Sequence, residues 1–176
     1  MLELVEPKHP AIHTPAQANP FDLDIDLAEF ESNMIQLMHD RIGIGLSANQ
    51  VGLDYNMFVM SHSTKGDIGV YNPEILSTSD NNIALEEGCL TWPVLYMHIT
   101  RPESCIVRYQ TINKETIEEE LTGIDARCFL HEFDHLQGKI FLDYASDFKL
   151  QRAIKKRDKR IKEFMKAQRM QKVIMR

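Results

Sequence analysis

Apolar residues recur at helical spacing in three parts of the chain. The first helix is predicted to begin after Asp26, a good capping residue, and to end at Gly43. The second is predicted over residues 122–137, with Gly138 closing it. The third begins after Asp147 and is amphipathic and basic. The apolar positions are Leu27, Phe30, Met34, Leu37 and Met38 in the first helix, and Leu150, Ile154, Ile161, Phe164 and Met165 in the third.

Short runs of strand-like composition lie between the first two helices. They cover residues 56–61, 68–71, 104–112 and 116–121, and the last two flank Asn113-Lys114 as the arms of a hairpin would. The first twenty residues contain four prolines and are predicted to be extended rather than helical. Strands followed by a central helix and a terminal helix indicate an α+β fold.

Composition narrows the class of protein further. The 176 residues suit one domain, predicted over 1–176, and no run approaches the roughly 18 apolar residues of a membrane span. The start of the chain does not resemble a signal peptide, and we expect neither membrane nor DNA binding. Three cysteines are too few for a disulfide framework, and an odd number cannot all be paired within the chain. This favours a reducing, cytoplasmic setting.

The net charge of -6 is unevenly distributed along the chain. Residues 146–176 carry 12 Lys and Arg against 3 acidic residues, a balance of +9. The first 145 residues therefore hold 8 basic and 23 acidic groups, a balance of -15. An acidic body with a basic terminal helix, at about 146–176, follows from this pattern.

The sequence HEFDH, residues 131–135, sets two histidines four apart with a glutamate after the first. On a helix with 3.6 residues per turn, His131 and His135 lie about 40° apart and Glu132 about 100° from His131. Both imidazoles can then bind one ion while the carboxylate stands beside it as a general base. The pattern predicts a metal site with its own proton acceptor.

A hydrolytic metal site needs a third protein ligand and an open position for water. No histidine follows His135, so a peptidase of this type would have to use Glu163, in the basic terminal helix. Cys89 is the better candidate, because its neighbour Gly88 allows close approach of a ligand and its thiolate would add one negative charge to two neutral imidazoles. The other two cysteines fit the role of small buried apolar residues.

Two histidines and one cysteine also occur in blue-copper sites. Copper electron transfer needs no general base, whereas Glu132 stands directly after His131, so hydrolysis is favoured.

A further candidate site residue lies in RIGIGLSANQVG, residues 41–52, a segment that alone would be a helix end running into a turn. Gln50 in this segment carries an uncharged amide that could stabilise an oxyanion.

Three segments together, GIGLSANQ (43–50), EGCLT (87–91) and HEFDH (131–135), resemble the three motifs of peptide deformylases, GxGLAxxQ, EGCLS and HExDH. Their order and spacing match, as do YNPEI before the cysteine and LQGKIFLDY after the second histidine. The resemblance runs from about Pro7 to about Lys156. Three motifs in order are far more specific than one.

The resemblance implies an α+β enzyme with antiparallel β-sheets around a central metal-binding helix and a C-terminal helix. Its expected activity is removal of the N-formyl group from the initiator methionine of nascent polypeptides, which releases formate. The expected cofactor is one divalent metal ion, Fe²⁺ above all, with Zn²⁺, Ni²⁺ or Co²⁺ able to replace it. The basic terminal helix would either dock on the ribosome or pack on the body.

The site residues implied by the resemblance fall into four groups. The metal ligands would be Cys89, His131 and His135. Glu132 would be general base and acid, with Gln50 and the backbone N–H of Leu90 as oxyanion donors. The substrate backbone would be bound by Ile44, Gly45 and Gly88, and the methionine pocket would be lined by Ile124, Cys128 and His131. Arg101 would pair with Glu87. Departures from the family pattern occur at Ser47, Thr91, Tyr96 and Arg127, the last at a commonly apolar helix position, and they leave open the preference beyond methionine. A metal-binding or ribosome-associated protein without catalysis is the remaining alternative.

Overall fold

The computed structural model describes residues 2–174, and side chains for residues 2–167 and 170. The helices are α1 (Leu27–Asp40), α2 (Gly123–Leu136) and α3 (Asp147–Ile174). The strands are β1 (Gly45–Ser47), β2 (Met57–His62), β3 (Gly66–Thr78), β4 (Asn82–Cys89), β5 (Trp92–Pro102), β6 (Ser104–Gln110) and β7 (Thr116–Thr122). Short 3₁₀ helices cover Pro10–His13, Pro20–Asp22, Ala48–Val51 and Phe141–Tyr144.

The strands form two separate antiparallel sheets. The large sheet has the order β1-β2-β3-β6-β7, and the small sheet is the hairpin β4-β5. The long strand β3 pairs with β2 over residues 66–71 and with β6 over residues 71–78, and the pairing with β6 has two register shifts. Antiparallel sheets combined with three helices confirm the predicted α+β fold.

Two hydrophobic clusters matter for the position of α2. One face of α2 packs on the large sheet, and we call the buried residues of this contact the large-sheet cluster. Its buried members are Phe58, Met60, Val70, Cys105, Val107, Tyr109, Leu121, Ala126, Cys128, Phe129, Leu130 and Leu136. The hairpin cluster is separate and contains Cys89, Leu95, Met97, Ile99 and Phe141. The helix and the hairpin thus have different apolar partners.

The predicted elements near the site agree well with the structure. Asp26 caps α1, because its carboxylate accepts a hydrogen bond of 3.0 Å from the N–H of Glu29. Helix α2 occupies 123–136, against the predicted 122–137, and the β6–β7 hairpin turns through Asn113-Lys114. Residues 2–20 contain no α-helix, as predicted, but include a 3₁₀ turn at Pro10–His13, and a second begins at Pro20.

The end of α1 differs from the prediction. The helix ends at Asp40, and Ile42 rather than Gly43 adopts the left-handed conformation, with φ of 60°. The N–H of Ile42 bonds to the carbonyl of His39, and that of Gly43 bonds to the carbonyl of Met38. These two hydrogen bonds form a Schellman motif, in which glycine would normally occupy the position of Ile42.

Two further segments were predicted wrongly or not at all. The stretch 43–50 is not a simple turn, since it contains β1 and the start of a 3₁₀ helix. The β4–β5 hairpin is absent from the sequence-based prediction, although Leu95, Met97 and Ile99 are buried at alternate positions of β5. It carries Cys89 and therefore decides where the cysteine lies.

Among the described side chains of α3, those that pack on the body lie near its start. Leu150, Ala153 and Ile154 lie against the hairpin cluster. Further along, the predicted apolar positions Phe164 and Met165 are exposed. The basic helix was predicted to reach residue 176, and residues 175 and 176 lie outside the described part of the chain. Within the described part, no helix is long and apolar enough to cross a membrane.

Candidate active site

The cysteine and the two histidines of the predicted metal site come together in space. Each of Cys89, His131 and His135 offers one ligand atom, and these atoms lie within 4.8 Å of one another. Sγ of Cys89 is 3.2 Å from Nε2 of His135. Cys89 is the last residue of β4, and the histidines lie one turn apart on α2. The group therefore joins the hairpin to the helix.

The alternative third ligand lies elsewhere. The side chain of Glu163 is 65% exposed on α3, and its carboxylate is 3.9 Å from the ammonium group of Lys159. Among the described residues, the one group of His, Cys, Asp and Glu side chains with metal-binding geometry is the one that contains Cys89. This geometry favours Cys89 over Glu163.

The His131 ring is oriented by a buried carboxylate. Nδ1 of His131 is 3.0 Å from Oε2 of Glu87, which leaves Nε2 to face the thiol. Burial works to lower the pKa of His131, but its contacts with Cys89 and Glu87 outweigh burial and raise the pKa to about 10. Burial lowers the pKa of His135 and keeps that ring neutral.

These three donors fit a divalent metal ion. A ring that holds a proton so strongly lies in surroundings that favour a cation, and a thiolate with two imidazoles is a common transition-metal donor set. The carboxylate that holds the second ring nitrogen of His131 is the usual outer partner of a metal-bound histidine. Cys89, His131 and His135, the ligands that the family resemblance implies, therefore form a group that could hold a metal ion.

A buried network of charges surrounds Glu87. Arg101 donates from Nε to Oε1 of Glu87 at 2.8 Å, as the resemblance implies, and from Nη1 to Oδ2 of Asp134 at 2.6 Å. Arg127 donates from Nη1 to Oε1 of Glu87 at 2.7 Å. Burial works to raise the pKa of Glu87, but hydrogen bonds from His131 and the two guanidinium groups outweigh it and lower the pKa to about 2. Glu87 is therefore a stable carboxylate.

Glu132 lies beside the three donors and is 4% exposed. Its Oε2 is buried and has no hydrogen-bond partner among the described residues. Burial raises the pKa of this carboxyl to about 7. The carboxylate also lies against Gly45, where a Cβ atom would collide with Oε1 and stand 2.8 Å from Sγ of Cys128. A free oxygen atom and a pKa near neutrality suit a group that takes and returns a proton.

The amide of Gln50 has a fixed orientation. Its Oε1 accepts hydrogen bonds of 3.0 Å from both the N–H and the hydroxyl of Ser47. Its Nε2 consequently points toward the site, 3.3 Å from Sγ of Cys89 and 3.1 Å from Oγ1 of Thr91. Ser47 and Thr91, two departures from the family pattern, both contact this amide.

A cleft of about 880 Å³ opens above these groups. Of the eleven residues predicted for the site, ten line the cleft, and His135 is buried and is not among the lining residues. Those ten are Ile44, Gly45, Gln50, Gly88, Cys89, Leu90, Ile124, Cys128, His131 and Glu132. Tyr96 also lines the cleft, and its ring lies so close to Gly88 that a Cβ there would be 2.6 Å from Cε1.

Several lining residues were not predicted. The N-terminal segment, residues 4–7, forms one wall, and the N–H of Val5 bonds to the carbonyl of Gln50 at 2.9 Å. No local signal places an extended segment against a distant loop. Arg127 was noted only as a departure from the family pattern and was not predicted to line the cleft, although it precedes His131 by four residues and so shares its helix face.

The fold and the site define the class of α+β proteins that combine an H-E-x-x-H helix with a cysteine from a facing hairpin. The polypeptide deformylase family model matches residues 1–151. A peptide deformylase of Phenylobacterium zucineum is 36% identical over 165 residues, which cover 91% of this chain and 96% of that relative. Another, of Thermotoga neapolitana, is 46% identical over 110 residues, which cover 62% and 66% of the two chains.

Solved structures give the same result. A peptide deformylase from Legionella pneumophila has a TM-score of 0.81 and 30% identity, with 94% of this chain and 97% of that one covered. One from Synechococcus elongatus in complex with actinonin has a TM-score of 0.80 and 30% identity, with 89% and 86% covered. The chain belongs to the polypeptide deformylase family.

Proposed function

We propose that this protein is a peptide deformylase that removes the formyl group from N-formyl-methionyl nascent polypeptides and releases formate. The observation that carries the proposal is the convergence of Cys89, His131 and His135 within 4.8 Å, at the base of a cleft that Glu132 and Gln50 also line. Family membership supports the same reaction. Residues 1–176 would form one catalytic domain with a basic C-terminal helix, and the enzyme would work in the cytoplasm.

Cys89, His131 and His135 would hold one divalent metal ion. Fe²⁺ is the proposed cofactor, and Zn²⁺, Ni²⁺ or Co²⁺ suit the same donors. When bound, the ion would polarise the formyl oxygen and lower the pKa of water at the site toward neutrality. His135, which burial keeps neutral, and the thiolate of Cys89 are the forms that ligate.

Glu132 is the proposed general base and acid. Its free Oε2 would take a proton from the attacking water and return it to the amine of methionine as the bond to the formyl carbon breaks. Gln50 Nε2 and the N–H of Leu90 would donate hydrogen bonds to the oxyanion that develops on the formyl oxygen. The hydrogen bonds from Ser47 hold the Gln50 amide ready for this role.

The rest of the cleft is assigned to substrate binding. Ile44, Gly45 and Gly88 would bind the peptide backbone, since the two glycines leave room for a chain to approach. Ile124, Cys128 and His131 would surround the methionine side chain. Burial raises the pKa of the Cys128 thiol, so this group is an uncharged apolar surface suited to a thioether.

Formate release from a formyl-Met peptide tests the proposal. The protein loaded with Ni²⁺, or with Fe²⁺ under anaerobic conditions, should release formate, and Glu132→Gln should retain the metal while its rate falls by about 10²- to 10⁴-fold. Glu120→Gln, at an exposed position of β7, is the matched control and should behave as the wild type. Absence of formate from metal-loaded wild-type protein would exclude the reaction.

We also propose that α3 docks on the ribosome. The helix is basic, and Ile161, Phe164 and Met165 form an exposed apolar stripe on it. A chain that ends at Lys156 keeps the residues of α3 that pack on the hairpin cluster. This truncation should preserve formate release and lose co-sedimentation with ribosomes at low salt. Unchanged co-sedimentation would reject docking by this helix.

A further inference from the structure

The metal site lies where helix α2 meets the β4–β5 hairpin. Most contacts across this junction are between polar groups rather than apolar side chains. The apolar side of α2 belongs to the large-sheet cluster, whereas Cys89 and its neighbours in β5 belong to the hairpin cluster. Two ligands therefore come from one packed unit and the third from another. The relative position of the two units must be fixed by the groups that cross between them.

Arg127 is the residue of α2 that makes the most of these crossings. Its Nη1 donates to Oε1 of Glu87 at 2.7 Å and to the carbonyl of Ile99 at 2.9 Å. Its Nη2 donates to the carbonyl of Ile83 at 2.7 Å. One guanidinium group thus bonds to β4 through Glu87 and Ile83 and to β5 through Ile99. The side chain is about 5% exposed, so the bonds are shielded from water.

The contact with Glu87 connects Arg127 to the metal ligands. Glu87 lies two residues before Cys89 on β4, and its other oxygen atom accepts from Nδ1 of His131. Arg101 crosses the same junction from the hairpin side and must also hold Asp134. Two guanidinium groups thus balance two buried carboxylates. Without Arg127, Arg101 alone would face both Glu87 and Asp134, and the carbonyls of the hairpin would lose their donor.

We propose that Arg127 is a positioning residue for the deformylase reaction: it ties α2 to the β4–β5 hairpin and, by holding Glu87, fixes the ring of His131 opposite Cys89. The inference rests on the proposed metal site and activity. A lysine at this position would keep the charge but, with a single ammonium group, could not reproduce the planar fork that reaches three acceptors. Arg127→Lys should therefore fold and still bind metal, with a looser site.

The test uses full-length Arg127→Met and Arg127→Lys, each loaded with Co²⁺ and with Ni²⁺. Transfer of the metal to a competing chelator should be about 10- to 100-fold faster in Arg127→Met than in the wild type, with Arg127→Lys between them. The thiolate-to-Co²⁺ absorption band should shift or weaken in the same order. We expect formate release to fall through kcat more than through KM, because the substrate-binding residues are unchanged.

Arg108→Met is the matched control, since Arg108 also bonds two carboxylates but does so at the surface, on Glu74 and Glu118. It should leave metal release and the absorption band as in the wild type. If folded Arg127→Met, or Arg127→Lys should the methionine variant not fold, releases metal and absorbs as the wild type does, the inference is wrong. Loss of metal or formate release already in the wild type would instead contradict the proposed function.

Discussion

Sγ of Cys89 lies 3.2 Å from Nε2 of His135, although the two residues are 46 positions apart in the sequence. The contact joins a hairpin and a helix that have separate apolar cores. Replacing Cys89 therefore tests directly whether it is the third metal ligand, as the sequence predicts. Two other cysteines, at 105 and 128, are available for comparison.

Cys89→Ala should lose the metal. The wild type should retain about one metal ion per chain after desalting, and the variant should retain close to none, because two imidazoles alone hold a transition metal weakly. Elemental analysis of the desalted proteins measures this. Cys105→Ala, within the large-sheet cluster, is the control and should keep its metal. Metal at wild-type stoichiometry in Cys89→Ala would refute the ligand assignment.

Gly45→Ala should lower the rate of the reaction while the protein stays folded and keeps its metal. The added Cβ would collide with the Glu132 carboxylate and displace it, and a shift of about 1 Å at a reacting group can cost about 10²-fold in rate. We expect kcat/KM for a formyl-Met peptide to fall by that order while metal content is unchanged.

The control for this change is Gly66→Ala. A Cβ at Gly66 meets nothing within 4 Å, but φ there is 76°, so this variant should lose about 1 kcal/mol of stability and keep its activity. Wild-type activity in Gly45→Ala would mean that Glu132 tolerates displacement or is not the proton carrier.

The sequence predicted the helical part of the site well. His131, Glu132 and His135 lie within five residues of one helix, so 3.6-residue periodicity alone fixes their relative directions. Cys89 and Gln50 were connected to them through the three-motif pattern rather than through geometry. All of these side chains meet as the pattern implies.

The remaining features depend on contacts between distant elements. Arg127 shares a helix face with His131, which periodicity predicts, but its carbonyl partners Ile83 and Ile99 belong to a hairpin that the prediction lacked. Half of the residues of strand β4 are exposed and only Glu87 and Cys89 are buried, so its sequence carries little alternation of polar and apolar residues. The contact of Val5 with Gln50 likewise depends on where the folded chain places an extended segment.

Ile42→Gly should stabilise the protein. Ile42 is 94% exposed and has φ of 60°, a conformation that costs an L-amino acid with a branched side chain about 1 to 2 kcal/mol. Glycine at this Schellman position removes the strain, and after its greater freedom in the unfolded chain is subtracted we expect a gain of about 1 kcal/mol. Thermal unfolding should shift upward by about 2 to 4 °C.

The comparison for Ile42→Gly is Ile106→Gly in β6. Ile106 is similarly apolar and partly exposed but lies in an extended strand, where glycine has no conformational advantage. This variant should be less stable than the wild type. A loss of stability in both variants would show that the side chain of Ile42 contributes more through packing than its conformation costs.

Stability above neutral pH should depend on Cys105. Burial, aided by the nearby Glu120 carboxylate, raises the pKa of this thiol to about 11 from its ordinary value of 9.0. The unfolded chain therefore ionises first as the pH rises, so the contribution to stability is intact below about pH 9 and is lost between about pH 9 and pH 11. The free energy of unfolding, measured with a denaturant, should fall more steeply across this window in the wild type than in Cys105→Ala. Parallel curves for the two proteins would contradict a raised pKa at Cys105.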